Sequence, residues 1–482
     1  MMKSSREVAK TELPAGASNT GCGVSAQCRP ISCEPGTDRD QSSKSARIAA
    51  TGASFVGATG TLAVARAAHA AGNELIRIAL IGCGGRGTGA AIDALQNAAT
   101  KNVKLVAMAD AFPEPLENSL RAITARCPNQ VDVPPERRFV GLDGYQKAIE
   151  SDVDMVLLCT PPGFRPMQFE AAVRAGKHVF MEKPVAVDAP GVRRVIAANE
   201  QAKKKKLLVA VGHHLRHEVK HREVIRRIHD GAIGEVRFLR AYFNSAGVWF
   251  RPRKPGQTEM QFQVANWYYF TWLSGDHIVE QHVHDIDVAN WIMQTHPIRA
   301  NGMGGRQART PEWAEAQGYG PDAVGEIFDH HAVEFEYPNG VRFYSYCRHM
   351  PGCWNAFAEF AHGTLGDAEI QGHGHAILRI QGKDPVRWER GPVGHQLEQD
   401  HLFAALLAGE PYNECDWAAE SSMTAILGRM ATYSGKEVTW EQAINSQLDL
   451  SPRQYTWDAE PPVKPNEKRI YPCAMPGQTQ AW

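Results

Sequence analysis

The stretch that decides the fold is Ile76-Arg77-Ile78-Ala79-Leu80-Ile81-Gly82-Cys83-Gly84-Gly85-Arg86-Gly87. Polar–apolar alternation stops after Arg77, which predicts a strand covered on both faces, as in a parallel sheet. Gly82, Gly84 and Gly87 then space out a GxGxxG turn, and a helix is expected from about Thr88 to Ala99. In such a turn the first glycine permits a tight bend, the second lets a pyrophosphate approach the backbone, and the third lets the helix pack on the strand. Gly85 and Arg86 belong to the same turn and count with it as cofactor-binding candidates. The helix that follows turns its free N–H groups and positive dipole end toward the phosphate.

Glycine-rich turns are common, so the flanking chain matters. A second apolar run, Val103 to Ala109, ends in Asp110. That acid falls about 20 residues beyond the turn, the spacing expected of the carboxylate that takes the adenosine ribose hydroxyls. Ala111 and Phe112 follow it, with no Arg or Lys to hold a 2′-phosphate, which favours NAD over NADP.

The chain has 482 residues, enough for two domains, and a formal net charge of −1. That balance gives no electrostatic case for nucleic acid or an anionic membrane. The basic run Lys203–Lys206 ends an expected helix, where it complements the dipole. The ten cysteines form neither a CxxC pair nor a regular framework. Neither a zinc ribbon nor a disulfide scaffold is expected, although Cys347 and Cys353 would be able to pair in an oxidising compartment.

Residues 1–46 are polar and small, and read as a disordered leader. Residues 47–72 read as an export signal: Lys44 and Arg47, a weakly apolar run from Ile48 to Val64, then Ala68-His69-Ala70 as an A-x-A site. The run is too weak for a stable membrane span. The layout resembles a twin-arginine signal, but lacks the arginine pair. Export to the periplasm is the expectation, and a cytoplasmic chain with a loose N-terminus is the alternative.

Residues 75–213 alternate strand and helix, which argues for a parallel sheet. One buried strand ends in Thr160-Pro161-Pro162-Gly163 and another in Glu182-Lys183-Pro184. Loops at the carboxyl ends of parallel strands are where ligands sit. Lys183 is placed where a nicotinamide ring would lie, or is simply a solvated loop lysine.

Asp110 after the GxGxxG, then Thr160-Pro161-Pro162, then Glu182-Lys183-Pro184 resembles the glucose–fructose oxidoreductase/inositol dehydrogenase (Gfo/Idh/MocA) family from about Leu75 to Trp440. The resemblance implies an α/β Rossmann domain followed, over 214–450, by an α+β substrate domain with an open, mostly antiparallel sheet, often oligomeric as a dimer or tetramer. The alternating runs Gly234–Tyr242 and Val333–Tyr337, and the Pro338-Asn339-Gly340 turn into Val341–Tyr346, agree with such a sheet. Residues 451–482 are proline-rich and read as an extended surface tail.

In the segment Leu273–Trp291, one continuous helix would set Glu280 and His284 four apart on one face, with Asp287 three further on. A carboxylate beside an imidazole raises its pKa and suits acid–base chemistry. By resemblance, His284 is the acid/base on a sugar or polyol hydroxyl, Lys183 steadies that oxygen as hydride moves to NAD, and Glu280 stands where relatives often carry aspartate. The resemblance also brings Thr160, Pro161, Arg165 and Glu182 to the cofactor, and Arg216 and His217, at the domain junction, are substrate-side candidates with Asp287. Tyr268, with Trp267, Tyr269 and Trp272, would stack on a pyranose ring or pack beneath the helix. No metal is expected, because His213, His214 and His217, or His277, His282 and His284, give no compact ligand set. The expected activity is an NAD-dependent oxidoreductase acting on a secondary hydroxyl. An NAD-dependent glycosidase and a non-catalytic sensor are the rivals.

Overall fold

A computed structural model describes residues 75–482; the expected leader and export signal lie outside them. The first part of the chain alternates β1 (Ile76–Ile81), α1 (Gly85–Leu95), β2 (Val103–Asp110), α2 (Pro113–Arg126), β3 (Arg138–Val140), α3 (Gly144–Glu150), β4 (Met155–Leu158), α4 (Arg165–Arg174), β5 (His178–Met181), α5 (Ala189–Lys204) and β6 (Val209–Val211). Its six strands are parallel, in the order β3-β2-β1-β4-β5-β6. Ile78, Ala79 and Leu80 are fully buried, as the loss of alternation requires. The strand order reverses between β1 and β4, so the loops after those two strands open on one crevice.

Helix α1 begins three residues earlier than expected and ends four earlier. Its start is set by packing rather than propensity, since Gly85 and Gly87 are poor helix formers. Its end is set by Asn97, whose side chain donates to the Ala94 carbonyl at 2.7 Å and accepts from the Thr100 N–H at 2.8 Å. Such local bonds compete with another helical turn.

The second part runs through α6 (Val219–His229), β7 (Val236–Ser245), α7 (Glu259–Ala265), α8 (Thr271–Ser274), α9 (His277–Glu280), α10 (Val283–Met293), β8 (Arg299–Gly305), α11 (Pro311–Ala316), β9 (His330–Glu336), β10 (Arg342–His349), β11 (Ala356–Gly363), β12 (Gly366–Gln371), β13 (Ala376–Ile380) and β14 (Val386–Trp388). It closes with α12 (Gly394–Ala408), α13 (Cys415–Ser434), β15 (Val438–Thr439) and α14 (Trp440–Ile444). The nine-stranded sheet has the order β14-β13-β12-β11-β7-β10-β9-β8-β15. Only the β7/β10 pair is parallel. The β9/β10 hairpin closes where expected, with Glu336 opposite Arg342 and Gly340 at φ 80°. Leu239, Ala241, Phe335 and Phe343 face the helices and are buried, while Phe238 and Tyr346 on the other face are exposed.

Two late helices return to the first sheet. Helix α12 packs on α1, and its Leu402 and Phe403 join the core that holds Ile78 and Leu80. Helix α13, buried nearly all round, packs on α5 on one side and on β8 and β9 on the other. The tail is not a loose surface strand. It lacks helix and strand, but Tyr471 is 1% exposed, Tyr455 packs on Phe164 at 5.7 Å and Trp457 on Phe112 at 5.2 Å. Proline denies the tail a regular ladder, and its aromatic side chains supply the burial instead. Cys347 is buried in the sheet and Cys353 exposed, and both are free thiols rather than a pair.

Candidate active site

The glycine turn after β1 has the shape a dinucleotide needs. A Cβ on Gly82 would lie 2.5 Å from the Cys159 carbonyl carbon and Thr160 nitrogen, and one on Gly87 would collide with the Gly82 carbonyl oxygen. These two glycines let turn, helix and strand meet. A Cβ on Gly84 meets nothing within 4 Å, and none is met at Gly85 either. Their backbone therefore faces open space. No side chain caps α1, so its first N–H groups are free for phosphate oxygens. Asp110 accepts from the Cys83 N–H at 2.7 Å and the Phe112 N–H at 2.9 Å, which fixes its carboxylate at the end of β2. A cavity of about 610 Å³ is lined by Gly82, Gly84, Gly85, Arg86, Gly87, Asp110, Thr160 and Pro161. The residues fit a dinucleotide, with the turn on its pyrophosphate and Asp110 on its ribose.

Two expected cofactor residues, Glu182 and Arg165, turn inward, while Arg86 lines the cavity and is also bonded to two buried acids. Arg86 donates from Nε to Glu182 at 2.5 Å and from Nη2 to Glu398 at 2.8 Å. Burial pushes the Glu182 carboxyl up, but Arg86, with His395 and Lys183, holds it well down. Burial keeps the Glu398 carboxyl well above the usual range. Glu182 thus serves Arg86, and one guanidinium ties the glycine helix to the end of β5 and to α12. Arg165 is buried and donates to the carbonyls of Pro184 and Thr160. It braces the two strand-end loops against each other and does not line the cavity. Burial lowers its pKa to about 10, so it stays a cation at neutral pH.

Lys183 lies just beyond β5, and its peptide with Pro184 is cis. Its Nζ donates to the Glu280 carboxylate at 2.9 Å and to the Glu280 carbonyl. The expected single helix is broken: α9 ends at Glu280, α10 starts at Val283, and His284 sits in its first turn. Upstream, the start of α9 is fixed by Asp276, its N-cap. Asp276 is held at φ 74° by accepting from the His277 and Phe328 N–H groups and the Tyr433 hydroxyl. A non-glycine residue persists there only when its surroundings over-determine it.

His284 is 8% exposed, and its ring is 4.8 Å from that of His214 and 6.0 Å from that of His213. Its pKa moves the opposite way from expectation. Burial, then Lys183 and the neighbouring histidines, push it well below the usual value, leaving a neutral imidazole. The expected carboxylate effect fails because Asp287 is committed elsewhere. Arg216 donates to Asp287 through both Nε (2.8 Å) and Nη2 (2.9 Å), and Ser421 donates to it at 2.7 Å. Arg216 also stacks on Trp417 at 3.9 Å. This ion pair, with Asp287 buried and Arg216 part-exposed, supports α10. His217 pairs with His401 at 2.9 Å and Glu414 at 3.3 Å, away from His284. Tyr268 is 3% exposed within an aromatic core and stacks on His349, so it packs rather than offering a platform for a ring.

Two residues had no signal in the sequence pattern. His395, on α12, packs on His214 at 4.1 Å and comes from a distant part of the chain. Gln281, in the break between α9 and α10, accepts from His349 at 2.6 Å and Tyr268 at 3.4 Å. Ring nitrogens of His213 and His284 are buried without a hydrogen-bond partner, so hydroxyl-rich ligands would find donors and acceptors there, while His214 Nδ1 lies 3.5 Å from the Glu218 carboxylate. Among the described residues, Asp276, His277 and His331 are grouped closely enough to hold a cation. Asp276 is already taken by Phe328 and Tyr433, and His331 bonds Thr432.

The comparisons agree with this geometry. Residues 76–213 match the model of the oxidoreductase family with an NAD-binding Rossmann fold, and 221–367 match the GFO/IDH/MocA C-terminal domain. Inositol 2-dehydrogenase of Rhizobium meliloti (strain 1021) is 29% identical over 223 residues, 46% of this chain and 56% of that protein. The 1,5-anhydro-D-fructose reductase of Ensifer adhaerens is 28% identical over 31% of this chain and 41% of its own. The chain thus spans about half the length of the curated relatives it matches. Two solved structures share the fold over their full length. They are an aldose–aldose oxidoreductase from Caulobacter crescentus complexed with glycerol (TM-score 0.58, 21% identity, 76% of this chain) and levoglucosan dehydrogenase with NADH and levoglucosan (TM-score 0.59, 16% identity, 77%). With a dinucleotide turn on a parallel sheet, a mixed open sheet behind it and both family models matched, the chain belongs to the Gfo/Idh/MocA family of NAD-binding oxidoreductases.

Proposed function

We propose that this chain is an NAD-dependent oxidoreductase acting on the secondary hydroxyl of a sugar, cyclitol or glycoside. The observation that carries the reading is the Lys183–Glu280 pair at 2.9 Å, at the end of β5, with its charge felt by the neutral, buried His284. Bound NAD supplies the hydride acceptor. The neutral imidazole of His284 is the form that takes a hydroxyl proton. Lys183 is positioned to donate to the same oxygen and to steady negative charge on it. Glu280 orients Lys183. The unpartnered ring nitrogens of His213 suit a polyhydroxylated ligand. The names of the inositol and anhydrofructose relatives support that substrate class.

The test begins with purified protein, nucleotide released by denaturation, and a sugar and cyclitol screen read at the reduced-nicotinamide band. Net reduction of added NAD, abolished in Lys183→Ala and His284→Ala, is the expected result. Glycoside cleavage without net reduction would move the reading to the NAD-dependent glycosidase. Normal turnover in both variants would remove the catalytic assignment, and a protein that binds NAD and sugar without turnover would be the sensor.

We further propose a homo-oligomer formed through the outer face of the large sheet, where Phe238, Tyr346 and Trp354 stay exposed. Light scattering on Tyr346→Lys, expected to shift the mass toward monomer, checks it. The leader's cationic, apolar and A-x-A order supports export, which fractionation of an expressing cell tests.

A further inference from the structure

The cavity over the glycine turn has a second wall that does not come from the dinucleotide-binding sheet. Opposite Asp110 and Phe112, it is lined by Trp249, Arg251, Lys254 and Gln257, all between β7 and α7, and by Trp267. This segment has no regular structure, yet it is pinned. The Arg251 N–H donates to the Asn266 side chain at 2.8 Å, and Asn266, fully buried, donates back to the Arg251 carbonyl at 2.9 Å. The Arg251 guanidinium donates to the Ala265 carbonyl at 2.6 Å and lies over the Trp249 ring at 4.1 Å. Thr258 bonds the Trp457 carbonyl at 2.8 Å, and Trp457 packs on Phe112, so the tail ties this wall to the wall bearing Asp110. Trp249 itself remains 41% exposed, although it is anchored on one side. A large indole held open by a stacked arginine, across a cleft from a ribose-binding acid, is a surface for a flat, polar ring system.

We propose that Trp249 and Arg251 clamp the adenosine half of the dinucleotide, so that the cofactor is gripped between the two parts of the chain and released slowly. The inference rests on the cofactor assignment above and adds residues that the family's glycine turn does not supply. Trp249 contributes an aromatic face for adenine or for the edge of its ribose. Arg251, whose charge is set against Asp110 and Glu114, holds that indole in place and offers donors to the ribose and phosphate oxygens. Because the wall is fixed by Asn266 and the tail rather than formed on binding, its grip comes without an ordering cost, and the gain falls on the dissociation rate.

The test uses the full chain and two probes, NADH and ADP-ribose. NADH release is followed by chasing with excess NAD and reading loss of energy transfer from protein tryptophan. Trp249→Ala and Arg251→Ala are expected to release NADH about tenfold faster or more and to weaken ADP-ribose by a similar factor. Trp249 is exposed, so its variant keeps the wild-type melting temperature and separates a lost contact from a damaged fold. NADH released from both variants at the wild-type rate overturns the clamp while leaving the cofactor assignment intact. Faster release of NADH with unchanged ADP-ribose affinity also overturns it, because the contact would then lie on the nicotinamide half. A wild-type chain that binds neither probe overturns the assignment beneath it instead.

Discussion

The same substitution at two glycines of one turn should give opposite phenotypes. In Gly87→Ala the new methyl collides with the Gly82 carbonyl oxygen and lies 3.1 Å from the Cys159 Cβ. Neither backbone nor strand can swing aside, so α1 must lift from β1. Overpacking of this kind costs about 1–3 kcal/mol, which in a chain of this size lowers Tm by roughly 1–4 °C. In Gly84→Ala the residue is extended, at φ −72° and ψ −176°, and its methyl meets nothing within 4 Å. The fold should be untouched, or stabilised by about 0.4–1 kcal/mol through the unfolded chain. The methyl instead occupies the space where the pyrophosphate approaches. NADH affinity should fall about 10- to 100-fold, or about 1.4–2.8 kcal/mol. Thermal unfolding with and without NADH reads both effects. At 100 times its Kd, NADH adds about 2.7 kcal/mol to the wild type. Gly84→Ala should keep its apo Tm and lose about half of that increment or more, while Gly87→Ala should start lower. The reasoning is refuted if Gly84→Ala melts as early as Gly87→Ala, or binds NADH as tightly as wild type.

Arg216→Ala strands Asp287 as a buried charge and should cost roughly 3–5 kcal/mol by urea unfolding; Arg216→Ala/Asp287→Asn should recover part of that loss. Arg165→Met leaves two backbone carbonyls without their buried donor and should cost roughly 2–5 kcal/mol, with lowered kcat because the Thr160 and Pro184 loops lose their brace. Burial lowers the imidazoles of His213, His214 and His395 to about 4 each, so the folded chain binds fewer protons than the unfolded one below the ordinary value of 6.5. Stability is therefore full above that value and is lost as pH falls from about 6.5 to about 4, by up to roughly 3 kcal/mol per fully buried group. A urea midpoint that stays flat across this interval would remove the argument.

The first sheet was legible because its signals are local. Loss of alternation in β1, the glycine spacing and the acid ending β2 are each fixed within a few residues by backbone hydrogen bonding and burial. The β9/β10 hairpin was legible for the same reason, since Asn339-Gly340 closes it without help from elsewhere. Lys183 and His284 could be singled out from strand-end position and family resemblance, but their environment could not. The helical spacing of Glu280 and His284 suggested one continuous face. The chain breaks there instead, between α9 and α10, and Gln281 in the break is held by His349 and Tyr268 from outside both helices.

The sequence by itself determined where the strands lie, which turn faces a dinucleotide and which residues end at the mouth of the sheet. Only the tertiary structure decided which charges pair. Arg86 and Glu182 bind one another, Asp287 is taken by Arg216, and Arg165 turns inward, so charges that looked free in the sequence are paired within the protein. The tertiary structure also brought Trp249 and Arg251 to the cleft, and His395 against His214, from segments with no motif of their own. The physical reason is that a strand or turn is selected by neighbours along the chain. A buried charge is selected by whichever partner the folded topology brings within hydrogen-bonding distance, because leaving it unpaired costs more than any local preference.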